Sequence, residues 1–62
     1  MVYQNICDYC SRNSISIAAF ERMCGLGNGS VGKWEDDKFK PTLQTLEKIA
    51  KATAIPVQKW IE

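Results

Sequence analysis

Histidine is absent from this 62-residue chain, and no apolar run approaches the roughly 20 residues that a membrane-crossing helix needs. The first absence removes the commonest general base, so Ser–His or Cys–His nucleophilic chemistry lacks a part. The second, together with an N-terminus that lacks a basic stretch leading into an apolar core, gives the expectation of a cytosolic protein without a membrane segment or export signal. An excess of one charge is missing too. Eight Lys and Arg stand against seven Asp and Glu, and a net charge of +1 makes no case for nucleic acid by itself. Cysteine is sparse and odd in number: Cys7, Cys10 and Cys24 give no disulfide framework, and reduced thiols are the expectation. Cys7-x-x-Cys10 has a zinc-like separation, but with no His and no second close Cys pair a fourth ligand is lacking. The run GLGNGS, residues 25–30, follows no strand, which removes the nucleotide-loop reading. No enzymatic activity, metal, cofactor or small-molecule ligand is expected.

What the chain does have is the composition of a folded protein, 45% hydrophobic and 24% charged. Its length allows one domain, residues 1–62, and a chain this short hides only about 60% of the surface its unfolded form exposes. The apolar spacing predicts an all-α fold. Val2, Ile6, Tyr9 and Cys10 share one face of a first helix over residues 2–12. Ser16 is a favourable N-cap for a second helix running to about Cys24, with Ile15 before the cap and Phe20 four positions beyond it placed as a hydrophobic staple. Gly25 stands where a left-handed helix stop belongs. Leu26, Gly27 and Val31 repeat that logic, predicting a third helix over residues 28–35 with Val31 and Trp34 inward. A loop follows at residues 36–40. Thr42 then caps a fourth helix with the stripe Leu43, Leu46, Ile49 and Ala50, and Pro56 opens a fifth carrying Val57, Trp60 and Ile61.

The second and third helices with their short turn have helix-turn-helix spacing. The segment SIAAFERMCGLGNGSVGKWE, residues 16–35, resembles the motif of the lambda-repressor and Cro-like family, also called the xenobiotic-response-element type. Ser16, Phe20, Gly25, Leu26, Val31, Trp34 and Glu35 match that pattern in order, and KPTLQTLEKIAKATAIPVQKWI, residues 40–61, is similar to the family's fourth and fifth helices. Three positions depart from it. Ile17 replaces a frequent Gln, Gly27 replaces the usual Ser or Thr cap of the third helix, and Gly29 and Gly32 fall inside that helix, where Gly costs about 1 kcal/mol relative to Ala. Cys10 and Cys24 occupy positions where the family buries small or apolar residues, so inert buried thiols are expected.

The resemblance implies a compact five-helix domain that binds double-stranded DNA as a transcriptional regulator, with the third helix in the major groove. It implies base contacts from Asn28, Gly29, Ser30 and Lys33, of which Asn suits adenine and Lys suits guanine. It also implies phosphate contacts from Ser16 and Ile17, at the start of the second helix, and from Lys38 and Lys40 beyond the third. A homodimer on a two-fold operator is implied as well, with Val57, Trp60 and Ile61 as the expected contact, although Trp60 is better suited to packing within the subunit. The near-neutral charge and the glycines of the third helix motivate the alternative: an antitoxin-like or adaptor module that keeps the fold but binds protein. The DNA reading requires residues 28–35 to form a rod with its polar side outward.

Overall fold

The computed structural model describes residues 2–35 and 39–62. Its elements in chain order are α1 (Val2–Asn13), α2 (Ile17–Met23), a 3-10 helix η1 (Val31–Trp34), α3 (Leu43–Thr53) and α4 (Val57–Ile61). The described residues contain no strand. The all-α expectation holds; four α-helices and one 3-10 turn replace the five helices expected.

Local chemistry fixes most helix ends. Ser16 and Thr42 sit in extended backbone and accept from the N–H groups of Ala19 (3.0 Å) and Thr45 (3.2 Å), satisfying donors that a first helical turn leaves open. α1 and α2 both stop through paired hydrogen bonds closing back over a left-handed residue. After α1 that residue is Ser14 (φ 54°), with Ile15 N–H donating to the Cys10 carbonyl at 3.0 Å. After α2 it is Gly25 (φ 73°), with Leu26 N–H donating to the Glu21 carbonyl at 2.8 Å and Gly25 N–H to that of Arg22 at 3.2 Å. α3 ends on Ala54, also left-handed at φ 60°. There Thr53 Oγ1 donates to the Ile49 carbonyl at 2.7 Å and accepts from Ile55 N–H at 3.3 Å.

The core draws on every element: Ile6 and Cys10 from α1, Phe20 from α2 with Cys24 just beyond it, Val31 from η1, Leu46 and Ile49 from α3, and Trp60 from α4. Tyr9, Phe20 and Trp60 form an edge-to-face triangle with ring centroids 5.6, 5.6 and 5.9 Å apart, the arrangement that aromatic quadrupoles favour. Asn5 Nδ2 donates to the Trp60 carbonyl at 2.7 Å, tying α1 to the end of α4. Ile15 and Leu26 pack against the same core, as their staple positions require.

Three expectations need correction. The third helix does not form over residues 28–35: residues 28–30 are a turn and only Val31–Trp34 winds, as 3-10 helix. Gly29 takes φ +85°, a sign incompatible with a right-handed helix, and three glycines within residues 27–32 withdraw the propensity a longer helix would need. Leu43, assigned to the inward stripe of α3, is 63% exposed, and Ile61 is 54% exposed. Both lie at helix ends, where the stripe turns off the core.

Candidate nucleic-acid interface

α2 and the segment after it form one unit. Beyond Gly25 the chain turns again at residues 27–30, where Ser30 N–H donates to the Gly27 carbonyl at 3.1 Å. The positive φ of Gly29, third residue of this turn, is the type II signature that favours glycine. η1 follows directly, with Lys33 N–H donating to the Ser30 carbonyl at 3.3 Å. Val31 is fully buried and Trp34 half-buried, so the inner side of the segment is anchored as the sequence predicts.

The sequence reading missed a residue that braces this segment. Glu21 is only 3% exposed, and its carboxylate accepts from two backbone N–H groups across the turn: Oε1 from Gly29 at 3.1 Å and Oε2 from Val31 at 2.9 Å. Buried carboxylates are rare unless they are bonded in this way. A signal existed. Ile17, Glu21 and Cys24 are spaced four and three apart, so Glu21 shares the inward face of α2, yet only Phe20 and Cys24 were expected to be buried there.

Of the residues expected at bases, Asn28, Gly29 and Lys33 are exposed and Ser30 is half-buried. They are gathered in one short segment, but Asn28 and Gly29 belong to the turn and Lys33 alone lies on η1. Ser16 is exposed at the start of α2 with its hydroxyl engaged as the cap, and Ile17 is half-buried as the first helical residue. The first turn of α2 leaves main-chain N–H groups without an intrahelical partner. Lys40 is exposed and borders, with Trp34, Phe39 and Pro41, a hollow of about 310 Å³. Lys38 lies outside the described residues. Cys10 and Cys24 are buried as expected. Burial raises both thiols, that of Cys24 to about 11, with neighbouring cysteines adding to the effect.

A family model described as helix-turn-helix matches residues 12–60, from the last turn of α1 through Trp60. The chain belongs to the Cro/C1-type helix-turn-helix family. No curated protein and no solved structure matches it. Membership makes this a DNA-binding helix-turn-helix domain, with α2 and η1 as its two helical parts. Its second helical part is a turn followed by four 3-10 residues. No helix among the described residues is long and apolar enough to cross a membrane.

Proposed function

We propose that this domain is a transcriptional regulator that reads double-stranded DNA sequence-specifically, as a homodimer on a two-fold operator in the cytoplasm. The rod over residues 28–35 that the sequence reading required is reduced to the 3-10 turn Val31–Trp34. The reading rests instead on the family match over residues 12–60 and on the polarity of the segment after α2. Val31 is fully buried beneath it while Asn28 and Lys33 are exposed on it, so the polar groups are free to meet base edges. Asn28 and Lys33 supply the discrimination, each good base pairing contributing about 1–3 kcal/mol. Ser30 and the Gly29 backbone approach beside them. The start of α2 at Ser16 and Ile17 meets one phosphate, and Lys38 and Lys40 meet flanking ones. A short segment with two exposed polar side chains, Asn28 and Lys33, reads few bases per half-site, which is why two copies are needed. Trp60 is committed to its own subunit's core, at 3% exposure, so the dimer contact falls to Val57 and the exposed Ile61.

Selection of bound fragments from a random duplex pool tests the reading. The expected result is a short two-fold consensus with half-sites one helical turn apart. Lys33→Ala then relaxes the preference at one position, while Lys40→Ala weakens all duplexes alike and lowers the salt slope by about one unit. Failure to enrich any sequence, with log affinity independent of log salt, favours a protein-binding module instead.

A further inference from the structure

We infer that Glu21 is the positioning residue of the reading segment: its carboxylate, reaching across from α2, replaces the cap that residue 27 cannot supply. The inference rests on the DNA reading above and deepens it. Two absences and one presence carry it. Gly27 has no side chain, and Ser30, the residue before η1, makes no side-chain cap hydrogen bond. The N–H groups of Gly29 and Val31 are satisfied all the same, both by Glu21, whose side chain is nearly inaccessible to water.

Three consequences follow from that geometry. Both carboxylate oxygens are engaged across the turn, so α2 and the reading segment are joined as one body although the segment's own helix, η1, is only four residues long. The two N–H groups it holds are withdrawn from any phosphate, leaving side chains such as Asn28 and Lys33 to make the segment's contacts. An amide cannot replace the carboxylate, because one of its two positions becomes an N–H₂ donor facing an N–H donor. Loss of the clamp therefore lowers the fraction of chains in the competent pose, and apparent affinity falls by that fraction.

Amide hydrogen exchange and duplex affinity, measured on the full chain, test the inference. In the wild type the Gly29 and Val31 amides exchange slowly; rapid exchange at both overturns it without any variant. Glu21→Gln is expected to release those two amides while α1 and α3 stay protected. It is also expected to weaken the selected duplex by about tenfold or more, the factor for losing a net hydrogen bond to a charged group, with the salt slope unchanged. A hydroxyl at position 27 can accept from the N–H two residues on. An added Cβ there meets only the Ser30 Oγ, at 3.3 Å, and a side-chain hydroxyl can rotate away. Gly27→Ser in the Glu21→Gln background is therefore expected to restore Gly29 protection and much of the affinity. A double variant no better than Glu21→Gln overturns the cap replacement, and so does loss of protection in all helices alike, which marks a merely structural carboxylate. A wild type that binds and a Glu21→Gln chain with the same affinity and preference overturn the Glu21 role alone. A wild type that selects no duplex overturns the DNA reading, and this role with it.

Discussion

The aromatic triangle and the segment over residues 27–35, the proposed reading segment, are held together by different means. Around Tyr9, Phe20 and Trp60, three helices bury apolar surface against one another, and the attraction is non-directional and scales with area. Residues 27–35 bury Val31 fully and Trp34 in part, and otherwise depend on a left-handed glycine and two directed hydrogen bonds from Glu21. The first region rests mainly on buried area, the second on the direction of a few bonds. Fold stability and reading geometry should therefore respond to different substitutions.

Phe20→Ala should break the first region and everything that depends on it. A large buried side chain deleted from a core costs about 3–5 kcal/mol, comparable with the whole stability expected of a domain this small. Urea unfolding should show little or no native baseline. Gly29→Ala should strike only the second region. Its φ of +85° costs a residue with a Cβ about 1–2 kcal/mol, so duplex affinity should fall while the far-UV signal of the helices is kept. Loss of all helical signal in that variant would show that the two regions are not separable. Gly32→Ala sharpens the contrast with the opposite sign. An added Cβ meets nothing within 4 Å, and the unfolded chain loses freedom, so a gain of about 0.4–1 kcal/mol is expected from urea titration.

The smallest effect concerns protons. Burial holds the Cys24 thiol at about 11 against an ordinary 9.0, so the folded chain keeps a proton that the unfolded chain releases first. Stability from this source is present below about pH 9 and lost as pH rises toward about 11. Urea midpoints at about pH 8 and about pH 10 should fall further apart in the wild type than in Cys24→Ala. Alkylation below that range should reach half-buried Cys7 before Cys10 or Cys24.

Legibility in the sequence followed the same division. Apolar spacing located α1, α2, α3 and α4, and Ser16, Thr42 and Gly25 marked their ends, because caps and periodic stripes are local chemistry. Over residues 28–35 apolar spacing predicts a helix, against the glycines at 27, 29 and 32. The sign of φ at Gly29 depends on a turn closed partly by a distant side chain, and no local pattern reports that. Glu21 escaped for a related reason: charge outweighed position, although its place between Ile17 and Cys24 put it on the inward face. Ser14 and Ala54 carry left-handed backbone without glycine, so the sequence marks those stops only by the breaks in apolar spacing.

The chain has two tryptophans, and the fold assigns one to each of these regions. Trp60 is enclosed by the other two rings, whereas Trp34 is half-buried at the end of η1. Intrinsic fluorescence can therefore be split by residue without adding a dye. Emission in a Trp34→Phe chain reports global melting, and the difference from wild type follows the segment around η1.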